Sequence, residues 1–304
     1  MRVIFMGTPE FAVPSLVALD EAYEVVGVVT RPDAVRARGK RLEPSPVKAE
    51  TQARDLRVIE ANRITPEVLG ELSSLEADIA CVAAYGCILP DSVLELTPLG
   101  CVNVHASLLP RWRGAAPVQR AILAGDERAG VSIMRVVHEL DAGAFCAQAS
   151  TEVADKPCSQ LMAEVAELGA AALVSSLGDI ARGRAVWTEQ DLSRVTYAHK
   201  VEKAEMRLDA QDGWLANARR VQASTDAAPA RCLVAGRGVR VTRAAGASEK
   251  VGTGEVLVSR GRVLLGCSDG ALEVLEVKPD GKREMDARSW AAGLRGDGLL
   301  WERV

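Results

Sequence analysis

The first half of the sequence places short runs that are apolar at nearly every position between stretches of helical period. Arg2–Met6 (RVIFM), Glu24–Thr30 (EVVGVVT), Asp78–Ala84 (DIACVAA) and Gly100–Val104 (GCVNV) show no polar alternation. A strand with one wet face alternates, whereas a strand that does not is covered on both sides. Between these runs, Glu10–Asp20 and Ser45–Ala53 have helical spacing, and a further helix is expected near Asp91–Leu96. Buried strands separated by helices predict an α/β fold. The expected form is a doubly wound, mostly parallel sheet over residues 1–150, completed by Val131–Val137 and Phe145–Val153. In such sheets ligands bind beyond the carboxyl ends of the strands.

The second half has a different texture. Ser159–Arg182 predicts one long helix, stopped by Gly183, with Leu161, Val165, Leu168, Ala172 and Ile180 on one face. Arg184–Arg207 is polar, has no strong period and reads as a linker. After a short helix over Trp214–Ala223 come brief alternating strands: Cys232–Val234, Gly238–Arg243, Gly254–Ser259, Arg262–Cys267 and Ala271–Val277. Short strands at close spacing predict a small barrel or sandwich. The expected division is therefore 1–183, a linker over 184–206, and a C-terminal barrel over 207–304.

Composition narrows the function classes. With 48% hydrophobic and 26% charged residues in 304, the chain is neither disordered nor collagen-like. Seven scattered cysteines without a C-x-x-C pair read as reduced, mostly buried thiols, and three unclustered histidines give no reason to expect a metal. No uninterrupted apolar run approaches the ~18–20 residues of a bilayer span, and the N-terminal apolar run is too short for a signal peptide. The expectation is a cytoplasmic protein, monomeric and free of membranes. Residues 200–304 carry a net charge of +3 against −7 for residues 1–199, an asymmetry that hints at a polyanionic partner.

Gly7 closes the first strand, but Thr8-Pro9-Glu10-Phe11 follows, so the G-x-G-x-x-G fingerprint of dinucleotide sites is absent, as is a Walker A loop. The densest polar constellation lies instead where Gly100–Val104 runs out. Asn103 and His105 are two apart, which points both side chains to one face of an extended strand. An amide beside an imidazole offers a donor for a developing oxyanion and a group that exchanges a proton near neutral pH. That pairing suits acyl transfer to an amine. Asp141, opening the turn Asp141-Ala142-Gly143, is the candidate carboxylate partner of His105. Taken singly, His105 reads equally as a structural histidine and Asp141 as a turn cap.

The stretch NVHASLLPRWRGAAPVQRAILAGD (103–126), followed by GVSIM (130–134) and LDAG (140–143), closely resembles the folate-dependent formyltransferases. The likeness runs the length of the chain through MGTPEFAVPSL (6–16), RPD (31–33), RGK (38–40), PSPVK (44–48), AAYGCILP (83–90) and YAHK (197–200), and is strongest to members acting on a charged tRNA. It implies a Rossmann-like catalytic domain followed by an OB-like barrel that binds tRNA. It also implies formyl transfer from 10-formyltetrahydrofolate, without a metal, to the α-amino group of methionine on initiator methionyl-tRNA. The family's catalytic residues fall on Asn103, His105 and Asp141, and its folate-contacting segment on Ser107, Leu108, Leu109 and Pro110. The neighbouring pocket strand carries Tyr85, Gly86, Ile88 and Leu89. Tyr85 and Trp112 are candidates to pack on the pteridine ring.

Arg31, Arg36, Arg38, Lys40, Arg41 and Lys48 against Asp33 and Glu43 give the loop after Glu24–Thr30 a net charge of +4, which suits phosphate contact. The resemblance makes this the loop that enters the tRNA acceptor end, with Arg38 at the matching arginine position; Arg36, which with Val35 departs from the family's usual run, Lys40 and Arg41 are further candidate tRNA contacts by their charge. In the C-terminal part Lys200, Lys203, Arg207, Arg219, Arg220, Arg231, Arg237, Arg240 and Arg243 are available for phosphates, while the expected Asn-Pro-Trp-Pro-like segment is replaced by Ser224–Pro229. Alternatives remain open: a formyltransferase for a small amine such as glycinamide ribonucleotide or an amino sugar nucleotide, a formyltetrahydrofolate hydrolase, and a non-catalytic tRNA-binding protein.

Overall fold

Seven strands form the first sheet in the computed structural model, which describes residues 1–35, 42–294, 296 and 298–304. They are β1 (Arg2–Gly7), β2 (Glu24–Thr30), β3 (Val58–Glu60), β4 (Ile79–Ala83), β5 (Cys101–His105), β6 (Arg128–Arg135) and β7 (Phe145–Glu152). Their spatial order is β7-β6-β5-β4-β1-β2-β3. The five from β5 to β3 run parallel, and β6 and β7 return antiparallel at one edge. Val3–Met6 and Ile79–Ala83 are buried throughout, as strands covered on both faces must be. The chain winds outward from β1 to β3, then crosses back to place β4 on the other side of β1, so the strand order reverses between β1 and β4. Gly7 sits at that reversal. A Cβ there would stand 2.8 Å from the Ala12 Cβ and 3.1 Å from the Ala83 carbonyl, so only glycine lets β1 turn this close to β4.

Local chemistry sets the helix starts. Ser45 accepts from the Lys48 amide at 2.9 Å ahead of the helix Pro46–Ala53, and Thr65 accepts from Val68 at 3.4 Å ahead of Pro66–Ser73, each with proline in the first turn. β3 and the helices Pro66–Ser73 and Pro117–Ala124 are absent from the sequence reading. β3 is three residues long with Ile59 alone buried, too short to show a period. The helix expected over Asp91–Leu96 ends at Leu94, β6 starts and stops earlier than expected at Arg128–Arg135, and β7 starts at Phe145 as expected and stops one residue earlier at Glu152.

Cys158–Ala181 forms a 24-residue helix that lays Leu161, Val165, Leu173 and Leu177 fully buried on one stripe. Gly169 allows close approach to the sheet, since a Cβ there would meet Val104 Cγ1 at 2.6 Å. With a mean hydropathy of 1.4 over its most apolar window, this helix is long and apolar enough to cross a bilayer by length and composition. Glu164, Glu167 and Asp179 divide it into shorter apolar runs in the sequence.

Two compact units result: Met1–Pro117 with Arg128–Glu152 and Met162–Ala198, and Val118–Glu127 with Val153–Leu161 and His199–Val304. The stretch read as a linker contributes to the first of them. Tyr197–Ala198 pairs in parallel with Arg113–Gly114, and Thr188 bridges Phe145. The second unit is built on β8 (Arg231–Val234), β9 (Arg237–Ala247), β10 (Val256–Ser259), β11 (Arg262–Cys267), β12 (Gly270–Pro279) and β13 (Trp301–Glu302), in the antiparallel order β10-β11-β12-β9-β8-β13. Glu255 bridges Leu300, and the Trp301 amide donates to Gly254 at 2.8 Å, so the two edges nearly close a barrel. Trp301, 2% exposed, fills its core beside Val241, Leu265, Leu272 and Trp290 and donates its indole N–H to Gly266 at 2.9 Å. The seven cysteines are free, and five are buried.

Candidate active site

The last two side chains of β5 that share a face are Asn103 and His105. His105 is 5% exposed and pairs across the antiparallel edge with Ser132 of β6. Its Nε2 lies 2.9 Å from the Trp112 carbonyl. A carbonyl only accepts, so Nε2 carries the hydrogen and the ring can gain or lose a proton only at Nδ1. Nδ1 faces Asp141 Oδ2 at 3.6 Å. That carboxylate oxygen accepts from the Gly114 amide at 2.8 Å, which fixes its direction. At 3.6 Å the imidazole and carboxylate are charge partners rather than a formed hydrogen bond. Asn103 is half-buried, and among the described residues its side-chain amide has no hydrogen-bond partner.

Three of the left-handed non-glycine residues lie in the turns that follow β4, β5 and β6. Asp141 (φ 48°), Trp112 (φ 64°) and Ala84 (φ 46°) all occupy the left-handed region, which non-glycine residues enter at a cost. Two of them supply groups to the pair: the Trp112 carbonyl to His105 and the Asp141 side chain itself. The Trp112 carbonyl and the Gly114 amide are backbone groups, so no side-chain pattern in the sequence revealed them. Arg111 stacks over the Trp112 ring at 4.7 Å.

The loop from β5 to Trp112 is pinned from below. Ser132 is fully buried, accepts from the Leu109 amide at 3.1 Å and donates to the Ser107 carbonyl at 2.7 Å. Gln148 reaches the Leu109 carbonyl at 3.0 Å and the Ser132 hydroxyl at 2.8 Å. Ser107 donates to the Arg111 carbonyl at 2.6 Å, Leu109 is buried, and Leu108 and Pro110 are half-buried. Ser132 and Gln148, missed in the sequence, thus hold the segment 107–110 through its main chain.

At the end of β4 the chain is anchored at several points. Thr8 donates to the Tyr85 carbonyl at 3.0 Å, Cys87 lies 2.8 Å from the Asn62 carbonyl, and Arg31 donates to the Gly86 carbonyl. Tyr85 does not face outward as sequence reasoning allowed. It is 1% exposed in the apolar cluster with Met6, Val82 and Val93, its hydroxyl donates to Ala61 at 2.7 Å, and burial pushes its pKa up to about 12. Ile88 is the reverse, an apolar side chain 94% exposed beside exposed Gly86 and half-buried Leu89.

Arg36, Arg38, Lys40 and Arg41 lie outside the described residues. Lys48, the last cation of that basic stretch in sequence, bridges Asp33 at 2.7 Å and Glu60 at 2.8 Å, contacts that raise its pKa. In the second unit four of the nine candidate cations already pair with carboxylates: Arg220 with Asp212, Arg231 with Asp280, Arg240 with Asp226 and Arg243 with Glu276.

Residues 1–177 match the formyl transferase family, and residues 200–295 match the formyl transferase C-terminal domain. The chain belongs to the formyl transferase family. A methionyl-tRNA formyltransferase of Methylococcus capsulatus is 42% identical over 295 residues, covering 95% of this chain and 96% of the relative. One of Novosphingobium aromaticivorans is 45% identical over 298 residues, covering 96% and 97%. Among solved structures, HypX from Aquifex aeolicus in complex with tetrahydrofolic acid superposes with a TM-score of 0.65 at 20% identity. That alignment covers 95% of this chain and 46% of HypX, so this formyl transferase spans about half the length of that protein and shares its fold. The two matched segments of the formyl transferase leave residues 178–199 between them, the stretch that contains Gln190 and Thr196.

Proposed function

We propose that this formyl transferase moves the formyl group of 10-formyltetrahydrofolate to the α-amino group of methionine on initiator methionyl-tRNA. The observation that carries the reading is the imidazole whose free nitrogen faces a carboxylate beside an amide with no partner among the described residues, at the carboxyl end of a parallel strand. The nature of the acceptor is supported by the name shared by relatives at 42% and 45% identity over nearly the whole chain. On this reading the enzyme works in the cytoplasm as a monomer, and the C-terminal barrel with the loop holding Arg36, Arg38, Lys40 and Arg41 contacts the tRNA.

The residues at the strand end fit a folate carrying a formyl group. Asn103 has hydrogen-bonding capacity to spare, the 107–110 segment is held by its main chain, and exposed Ile88 offers apolar surface for a planar ring. The folate supplies an electrophilic formyl carbon. Asn103 donates to the oxygen on which negative charge develops when the acceptor amine adds to that carbon. His105 holds or releases a proton at Nδ1, the position that Asp141 faces, and its positive form adds to the stabilisation of the oxyanion. Asp141 supports that positive form and takes part in removing the proton from the attacking nitrogen; that proton would pass to N10 of the folate as the bond from N10 to the formyl carbon breaks and tetrahydrofolate leaves. Because the two groups interact closely, they titrate as a pair.

The test is transfer of labelled formyl from 10-formyltetrahydrofolate. Charged initiator tRNA is expected to accept the label and charged elongator tRNA is not. Label passing instead to a small amine or to water sinks the acceptor assignment, and tRNA binding without any transfer sinks the enzymatic one.

A further inference from the structure

Both groups of the His105–Asp141 pair are positioned by the same three residues. The Trp112 carbonyl holds the imidazole and the Gly114 amide holds the carboxylate, so the distance between Nδ1 and Oδ2 depends on where residues 112–114 sit. Those residues are fixed in turn by a segment distant in sequence. Thr196 Oγ1 accepts from the Trp112 amide at 3.0 Å, and the Thr196 carbonyl accepts from the Arg113 amide at 2.9 Å. The Ala198 carbonyl accepts from Ala115 at 2.9 Å and Ala116 at 3.1 Å. Gly114 (φ 120°) allows this closeness, since a Cβ there would stand 2.9 Å from the Ala198 oxygen.

Gln190 ties the other side. It is 7% exposed, and its amide nitrogen donates to the main-chain carbonyls of Asp141 and Gly143, both at 2.8 Å. Its oxygen accepts from Arg113 Nε at 2.9 Å. One side chain thereby joins the turn that carries the carboxylate to the tripeptide that anchors both members of the pair. Arg113 is 5% exposed and its Nη2 has no partner among the described residues, so the bond to Gln190 is a substantial part of what holds that buried guanidinium.

We propose that residues 188–198, which the sequence presents as a linker, act as a strap behind the catalytic pair, with Gln190 and Thr196 as positioning residues for His105 and Asp141. The proposal rests on the reading of that pair as catalytic. Misplacement by a fraction of an ångström is costly in an oriented site, with losses of up to about a hundredfold for 1 Å. The strap should therefore govern turnover more than substrate binding.

The experiment compares Thr196→Val, Thr196→Ser, Gln190→Glu and the exposed strap control Leu192→Ser. Thr196→Val removes the acceptor for the Trp112 amide at nearly constant volume, and Thr196→Ser keeps it. Gln190→Glu keeps the acceptor for Arg113 but turns the donor that holds the Asp141 and Gly143 carbonyls into an oxygen. We expect kcat to fall about tenfold or more in Thr196→Val and Gln190→Glu, with KM for donor and acceptor within about twofold, and near-native behaviour in Thr196→Ser and Leu192→Ser. The ring signals of His105, followed by NMR across pH, should shift their titration in the two impaired variants and not in the other two. Native turnover and native His105 titration in folded Thr196→Val overturn the proposal, as does a rise in KM with kcat unchanged. Should Gln190→Glu fail to fold, the two Thr196 variants decide alone. A wild-type protein that transfers no formyl group defeats the functional reading, and the His105 titration still judges the strap.

Discussion

Asp141→Asn isolates the charge of the pair from its geometry. Asp141 sits at φ 48°, a region asparagine enters almost as readily as aspartate, so the exchange adds little backbone strain where alanine would add more. The side-chain oxygen of the introduced asparagine can still accept from the Gly114 amide, a bond that the carboxylate makes at 2.8 Å. What disappears is the negative charge 3.6 Å from His105 Nδ1, between side chains only 6% and 16% exposed. Two unit charges at that distance attract by about 4–5 kcal/mol at an effective dielectric constant near 20, and solvation of the free partners returns part of this. About 3 kcal/mol of support for the positive imidazole is then lost, which corresponds to about a hundredfold in kcat. The oxygen that accepts from Gly114 is also the atom facing Nδ1, so the exchange keeps an acceptor there and removes the charge alone. The assay is the initial rate of formyl transfer at saturating donor and acceptor, with thermal unfolding measured alongside. Turnover within about threefold of wild type, in a protein of unchanged melting temperature, would refute the view that the carboxylate works through the charge of His105.

Asn103→Ala should keep the fold, because its amide bonds to no described group, and lower kcat by about 10²–10³ through loss of one oxyanion donor, read in the same rate assay. Ser132→Ala strands the Leu109 amide, which Ser132 accepts at 3.1 Å, in a fully buried place. It should cost about 1–3 kcal/mol in urea unfolding and raise KM for the folate as the 107–110 segment loosens. Alkaline stability should follow the buried thiols. Burial pushes Cys101 and Cys232 up to about 12 and Cys158 and Cys267 up to about 11, against 9.0 for a free thiol. Since the folded pKa values are raised, the unfolded chain binds fewer protons above its own pKa. The urea midpoint should hold steady below about pH 9 and fall as pH rises from there toward the folded values; a flat midpoint up to pH 11 contradicts this. Arg38→Ala should weaken tRNA binding and flatten its dependence on log salt concentration by about one, with the folate KM unchanged in rate measurements.

The parallel sheet was legible because burial on both faces leaves a run such as Val3–Met6 with no polar alternation at all. Asn103 and His105 were legible for a related reason: polar side chains two apart at the end of such a run need a purpose. β3 and the Tyr197–Ala198 ladder were not, because two or three residues of strand carry no period. Tyr85 was open between ligand contact and packing because sequence cannot say which side of a bend points inward; its hydroxyl found a buried carbonyl at Ala61. The boundary of the polar stretch 184–207 was hidden by chemistry rather than length. Gln190 and Thr196 look like solvated residues and are used as internal hydrogen-bonding groups.

The placement of strain gives the architecture its logic. A parallel sheet ends its strands with unpaired main-chain groups, and the residues beyond must turn at once to satisfy them. After β4 and β5 the chain does so through left-handed Ala84 and Trp112, and in the connection from β6 to β7 through left-handed Asp141, rather than through glycine alone. Each such residue costs of order 1–3 kcal/mol, so it persists only where surrounding bonds over-determine it. Trp112 meets that condition through Thr196 on its amide and His105 on its carbonyl, and Asp141 through Gly114 on its side chain and Gln190 on its carbonyl. The bonds that hold the strained residues are thus the same bonds that aim the imidazole and the carboxylate at each other. Stability of the bends and geometry of the pair are one quantity here, and a substitution that relaxes the backbone at residues 112–114 should raise or preserve stability only at the expense of turnover.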